Sequence, residues 1–119
     1  MRRAGLVVAD ALAAVSAAVR PSVTGMELDA IAEDVIRSAG AVPSFLGYHG
    51  FPASICVSVD NAIVHGIPND HPLHDGALVS IDCGAILDGW HGDAAITLPV
   101  GEIGRGAQEL SDVTRSAMW

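Results

Sequence analysis

Residues 77–98 read ALVSIDCGAILDGWHGDAAITL, and this stretch decides the fold of the 119-residue chain. Two runs rich in Val, Ile, Leu and Ala flank Asp88-Gly89, a dipeptide that favours a two-residue type I′ turn. The pattern predicts a β-hairpin with strands over 77–87 and 90–98. Because a two-residue turn fixes the register, Leu87 is expected to face Trp90, and the other pairs follow.

This register places two carboxylates on one face of the hairpin. Asp93 faces Gly84, and Asp82 faces Ala95. Opposed residues share a face, as do residues two apart, so Asp82 and Asp93 are diagonal neighbours with Cβ atoms roughly 7–8 Å apart. The other face carries only apolar residues or glycine: Val79, Ile81, Cys83, Ala85, Leu87, Trp90, Gly92, Ala94, Ile96 and Leu98.

Two neighbouring carboxylates of this kind can share a pair of divalent cations, and Gly84 is expected to leave empty space for the ions. Without a cation, the like charges would repel and raise one pKa. The alternative is a pair of solvated aspartates on an exposed hairpin, and spacing alone does not separate the two interpretations. The apolar run around Asp82 favours a buried, partnered carboxylate.

The first forty residues predict two helices. Residues 1–20 carry apolar side chains at helical spacing, and Thr24 with Glu27 forms a capping box that opens a second helix ending at Gly40. The basic start and apolar run also resemble a signal peptide, but Asp10 interrupts that run. The remaining predicted elements are a loop over 41–53, a strand over 54–59, a turn at 60–61, a strand over 62–67, a connection over 68–76 and a helix over 106–118.

Composition narrows the class of protein. With 50% hydrophobic and 17% charged residues, the chain is expected to form one globular domain with its own core. A net charge of −8 without a basic patch argues against nucleic acid as a partner. No run reaches the ~20 apolar residues of a membrane span. Cys56 and Cys83 lack C-x-x-C spacing, so buried free thiols in a reducing cytoplasm are expected.

Other polar and aromatic residues have two interpretations each. His65 follows a predicted strand and can donate a proton to a substrate or simply cap a turn. Tyr48, Phe51 and Cys56 can line an apolar pocket or pack in the core. His71 and His74, in the 68–76 connection, form an H-x-x-H pair that can bind a metal, but the turn-like segment favours a plain surface loop. His91 is expected to be exposed.

The motifs FLGYHGFP at 45–52, Cys56, VHGIP at 64–68, SID at 80–82 and GWHGD at 89–93 resemble type I methionine aminopeptidases of the pita-bread superfamily. The aspartate spacing is shared with prolidases and creatinases, whereas the HGIP and YHGFP runs are more specific. The resemblance implies an α+β chain, with two helices followed by antiparallel strands, as the N-terminal half of a pita-bread domain over residues 1–119.

The resemblance also implies roles for residues. Asp82 would be a terminal, bidentate metal ligand, and Asp93 would bridge two divalent ions (Co, Mn, Fe or Zn). His65 would contact the substrate amide. The methionine pocket would be lined by Phe45, Tyr48, Phe51 and Cys56. The expected reaction is hydrolysis of the first peptide bond of nascent polypeptides by a metal-bridging hydroxide.

The family site also needs a histidine and two glutamates from a second half. The chain is therefore expected to be a fragment, the product of a truncated gene or one piece of a split protein, and to bind metal weakly and hydrolyse little alone. An open strand edge predicts self-association or pairing with a complementing half. Two alternatives remain: a non-catalytic pita-bread module that binds peptides or proteins, and an X-Pro peptidase-like hydrolase. The run from His65 to Pro68 argues against the latter, and the two retained aspartates argue against the former.

Overall fold

The computed structural model describes all 119 residues as three helices and a four-stranded antiparallel sheet. The elements are α1 (Arg2–Ala18), α2 (Gly25–Ser38), β1 (Val42–Pro43), a 3₁₀ turn (Tyr48–Gly50), β2 (Ile55–Val59), β3 (Leu78–Leu87), β4 (Trp90–Pro99) and α3 (Arg105–Ala117). The long strand β3 is central: β4 pairs with one side, and β1 and β2 pair with parts of the other. The predicted α+β class is confirmed.

The hairpin has the predicted turn and register. Asp88 and Gly89 both have positive φ angles, 52° and 78°, as a type I′ turn requires. The strands pair Leu87 with Trp90, and the pairing continues without a bulge to Leu78 and Pro99. The two aspartates therefore share one face of the sheet.

Helices α1 and α2 cover the opposite, apolar face. The helices and strands share a single cluster of 19 buried residues. Within this core, β3 contributes Val79, Ile81, Cys83 and Ala85, each completely buried. Gly92 marks the closest approach of β4 to α1, because a Cβ atom there would lie 2.6 Å from the backbone of Ala4 and Gly5.

Both ends of α2 match the sequence pattern. The Glu27 N–H donates to Thr24 Oγ1 over 3.1 Å, and the Thr24 N–H donates to Glu27 Oε2 over 2.8 Å. This is the predicted capping box. After the last helical residue, Gly40 adopts a φ angle of 74°, a left-handed conformation that suits glycine. The helix ends there and the chain turns into β1.

The predicted strand over 62–67 is wrong. This segment is irregular and forms no ladder, and Ile63 and Val64 are 88% and 65% exposed. His65 has a φ angle of 58°, which is incompatible with an extended strand. The predicted loop over 41–53 contains two short ordered pieces, β1 and the 3₁₀ turn.

The C-terminal part of the structure is the most exposed. Helix α3 forms where a helix was predicted, but it has no buried residue, and Leu110 and Val113 are 63% and 67% exposed. The outer edge of β4 pairs with no strand. Among the three helices, none combines the length and apolar character needed to cross a lipid bilayer.

Candidate functional site

A cleft of about 530 Å³ opens on the carboxylate face of the sheet. Its walls come from the loop after β1, from β2, from the irregular segment after β2, and from the hairpin. The lining residues are Phe45, Tyr48, His49, Gly50, Phe51, Pro52, Cys56, His65, Ile67, Asp82 and Asp93. All seven predicted site residues therefore lie around one cavity.

Asp82 is the most unusual polar group of the cleft. Its side chain is half-buried, and the Oδ1 atom is buried without a hydrogen-bond partner. Burial, and then the negative charge of Asp93, raise the pKa of Asp82, whereas the charge of His65 lowers it. Buried carboxylate oxygens normally have a donor or a cation, so this unpartnered atom fits a metal ligand.

Asp93 is the second carboxylate and lies exposed on β4. It faces Gly84, and Asp82 faces Ala95, so the two acids are diagonal neighbours as predicted. Two carboxylates facing one cleft suit a divalent cation that accepts oxygen ligands. The chain does not bring together three or more His, Cys, Asp or Glu side chains able to hold a metal ion.

Gly84 does not leave empty space for ions, and that prediction is wrong. A Cβ atom at Gly84 would lie 2.9 Å from Phe45 Cε1 and 3.0 Å from Ser44 Cβ. The Ser44 N–H donates to the Gly84 carbonyl over 2.9 Å. The glycine thus lets the loop after β1 close against β3, which brings the Phe45 ring beside the carboxylates.

Aromatic side chains form one wall of the cleft. The rings of Phe45 and Phe51 meet edge to face with centroids 6.5 Å apart, and the Tyr48 and His49 rings meet similarly at 4.4 Å. Tyr48 is 69% exposed, so it is not a core residue. The Gly47 N–H donates to the Phe51 carbonyl over 2.8 Å, which closes the aromatic loop.

Cys56 forms the floor of the cleft and pairs with Asp82 across β2 and β3. Burial, followed by the charges of Asp82 and Asp93, raises the pKa of its thiol to about 11. Burial likewise raises the pKa of Cys83, on the opposite face, to about 12. Both cysteines are buried and free, as predicted. Because the reactive form of cysteine is the thiolate, this pKa makes Cys56 a poor nucleophile near neutral pH.

The histidines separate into two groups. His65 reaches the cleft, and His91 is exposed on the same sheet face with its Nδ1 atom 3.2 Å from Ser44 Oγ. His71 and His74 are exposed and do not line the cleft. His74 Nε2 lies 2.8 Å from Asp60 Oδ2, so this histidine ties two loops together.

Sequence reasoning assigned no role to four cleft residues, His49, Gly50, Pro52 and Ile67. All four belong to the motif runs that carried the resemblance, YHGFP and HGIP. That membership was the only signal for them in the sequence.

The model of metallopeptidase family M24 matches residues 1–119. The chain belongs to this family. Methionine aminopeptidase 1 of Mycobacterium tuberculosis is 57% identical over 119 residues, covering 99% of this chain and 45% of that protein. Methionine aminopeptidase of Clostridium acetobutylicum is 48% identical over 120 residues, covering 100% of this chain and 48% of that protein.

Solved structures agree with these family members. The crystal structure of methionine aminopeptidase from Rickettsia prowazekii superposes with a TM-score of 0.96 at 42% identity, covering 98% of this chain and 47% of that one. The fold is therefore that of one half of a pita-bread metallopeptidase. The chain spans about half the length of the curated relatives that it matches.

Proposed function

We propose that this chain supplies one half of the active site of a metal-dependent aminopeptidase that removes the N-terminal methionine from nascent polypeptides. The observation that carries the proposal is the cleft in which an unpartnered buried oxygen of Asp82, a second carboxylate and an aromatic wall converge. Two of the similar proteins are named methionine aminopeptidase, which supports the same substrate. Residues 1–119 would be the N-terminal half of a pita-bread domain.

The carboxylates are the proposed metal ligands. Asp82 and Asp93 would hold two divalent ions, and oxygen ligands of this kind accept Co, Mn, Fe or Zn without sharp preference. Those ions, when bound, supply Lewis-acid activation of a water molecule. The carboxylates position that chemistry at the floor of the cleft.

The other cleft residues are proposed to bind the substrate. His65 projects from an exposed loop, where its imidazole can donate a hydrogen bond to the scissile amide. The flexible thioether of methionine suits a pocket of aromatic rings and a neutral thiol, such as Phe45, Phe51, Tyr48 and Cys56 provide. A protonated Cys56 adds no charge of its own to this pocket.

We infer that residues 1–119 alone bind metal weakly and hydrolyse little. They offer two carboxylates to a site whose chemistry requires a fixed, fully coordinated ion. The remaining ligands would come from a second half like that present in the longer relatives. The buried free thiols support a cytoplasmic setting.

A chimera tests this proposal. Residues 1–119 would replace the matching 45% of the Mycobacterium tuberculosis relative, and methionine release from a Met-Ala-Ser peptide would be measured with added Mn²⁺. Turnover is expected, and Asp82→Asn or Asp93→Asn should abolish it, whereas Asp10→Asn, on the exposed side of α1, should not. A folded chimera without turnover, or one that cleaves X-Pro peptides instead, would refute the assignment. Rapid turnover by the 119 residues alone would refute the inferred inactivity.

One observation favours a second candidate function, that of a non-catalytic binding module. The unpaired outer edge of β4 can accept an extended peptide or another protein strand without catalysis. A non-catalytic binding module would bind Met-peptides equally well with metal and with chelator. The aminopeptidase proposal expects binding to weaken when the metal is removed.

A further inference from the structure

Two hydrogen bonds hold Gly66 against β2. The Val57 N–H donates to the Gly66 carbonyl over 2.9 Å, and the Gly66 N–H donates to Ser58 Oγ over 3.0 Å. The two backbones are in direct contact, because a Cβ atom at Gly66 would lie 2.9 Å from Ser58 Cα and closer still to the Val57 carbonyl. Gly66 is therefore fixed by a clamp that leaves no room for a side chain.

The residue before the clamp is His65, which has few other constraints. Its ring makes no hydrogen bond, and its φ angle of 58° lies in a region that residues other than glycine rarely adopt. The preceding Ile63 and Val64 are largely exposed and provide little packing. A strained conformation persists only where the surroundings enforce it. Here the enforcing contacts are those of Gly66.

Ser58 is the side-chain component of this clamp. It is only 4% exposed, and a buried hydroxyl is costly unless it is hydrogen-bonded. Ser58 lies on β2 two residues from Cys56, on the carboxylate face, but it is not part of the cleft wall. It can therefore influence the cleft only through the segment that it holds.

We propose that Ser58 is a positioning residue, which holds His65 toward Asp82 and Asp93 by accepting the Gly66 N–H. The inference deepens the proposed function and rests on it for the role of His65. Without the hydroxyl, Gly66 keeps one of its two bonds to β2. The segment over 61–66 then leaves its strained conformation for part of the time, and the imidazole leaves the cleft with it.

The chain itself allows a metal-free test by amide hydrogen exchange. Ser58→Ala should speed exchange of the Val57 amide, which donates to the Gly66 carbonyl, by about fivefold, the factor that corresponds to one net hydrogen bond. Ser58→Thr, which keeps the hydroxyl, should restore slow exchange. Ser58→Cys keeps the volume with a weaker acceptor, and should give an intermediate rate if the alanine variant folds poorly. Ser54→Ala is the matched control, since Ser54 is a fully buried serine beside β2 whose hydroxyl has no partner.

A second readout reports the position of the imidazole. Added Mn²⁺ broadens the nuclear magnetic resonance signals of groups near the carboxylates. In the wild type and in Ser54→Ala, the His65 ring signals should broaden together with those of Cys56. In Ser58→Ala, the broadening of His65 relative to Cys56 should fall by the fraction of molecules in which the segment has left β2.

The outcomes separate this inference from the proposed function. Unchanged exchange of the Val57 amide in Ser58→Ala, even with faster exchange at Gly66, would overturn the positioning role. Wild-type broadening of His65 in that variant would also overturn it, even if the melting temperature falls. If Mn²⁺ broadens neither Cys56 nor Asp82, the metal proposal fails, while the exchange measurement still decides the role of Ser58.

Discussion

Substituting Gly92 by alanine tests the arrangement on which the site depends, namely helices on one face of the hairpin and carboxylates on the other. An added Cβ atom at Gly92 would lie 2.6 Å from the Ala4 carbonyl carbon and the Gly5 nitrogen, and 2.7 Å from the Ala4 oxygen. All three atoms belong to the backbone of α1, so no side chain can rotate away. Overpacking a core typically destabilises by 1–3 kcal/mol, and a backbone clash places this variant at about 3 kcal/mol.

Gly5→Ala is the matched control for this prediction. A Cβ atom at Gly5 would meet nothing within 4 Å, although its backbone is part of the same contact. Because alanine is the better helix former, Gly5→Ala should stabilise the chain by about 0.5–1 kcal/mol. Urea denaturation followed by circular dichroism measures both free energies of unfolding. If Gly92→Ala unfolds at the same urea concentration as the wild type, the Gly92 face of β4 does not pack against α1. The conclusion that Asp93 points away from α1, into the cleft, would then be wrong as well.

Hydrogen bonds to the Asp75 backbone and to Asp60 raise the pKa of His74, and, although burial raises the pKa of Asp60, hydrogen bonds from Leu78 and His74 lower it overall. The His74–Asp60 pair should therefore stabilise the chain most between about pH 4 and 6.5, and less at higher pH. The melting temperatures of the wild type and His74→Gln should converge above pH 8, and a constant difference would contradict the ion pair. Iodoacetamide should alkylate Cys56 at pH 8 about a hundredfold more slowly than a free thiol, because its pKa is about 11, and comparable rates would contradict this burial. The unpaired β4 edge should cause concentration-dependent self-association, which sedimentation velocity detects; a monomer at every concentration would exclude it.

The hairpin was predictable because its determinants are local. Asp88-Gly89 specifies the turn, and the alternation of apolar residues allows only one register, so the shared face of Asp82 and Asp93 followed from the sequence. The capping box of α2 was predictable for the same reason. Each of these features depends on residues that lie within a few positions of one another.

The error over 62–67 has a tertiary cause. Ala62, Ile63 and Val64 are apolar and mostly β-branched, which is typical of a strand. The Gly66 clamp on β2 overrides this preference, because it draws the chain back onto Val57 and Ser58 and forces a positive φ angle at His65. No local pattern encodes a contact between a glycine and the strand that precedes it by eight residues.

Gly84 illustrates the same limit within the site. Its place between two carboxylates suggested space for ions, but the space is taken by Phe45 and Ser44. The two ends of that contact are about forty residues apart, and only the pairing of β1 with β3 joins them. The family resemblance identified Phe45 as a pocket residue, whereas periodicity alone could not.

We expect Asp82 and Asp93 together to bind a divalent cation. Electron paramagnetic resonance counts free Mn²⁺ directly and suits a weak site. Titration of the wild-type chain should show Mn²⁺ binding, and Asp82→Asn and Asp93→Asn should each weaken it by about tenfold or more, which is at least about 1.4 kcal/mol. Asp10→Asn should bind as the wild type does. Equal affinities for the wild type and both site variants would contradict the claim.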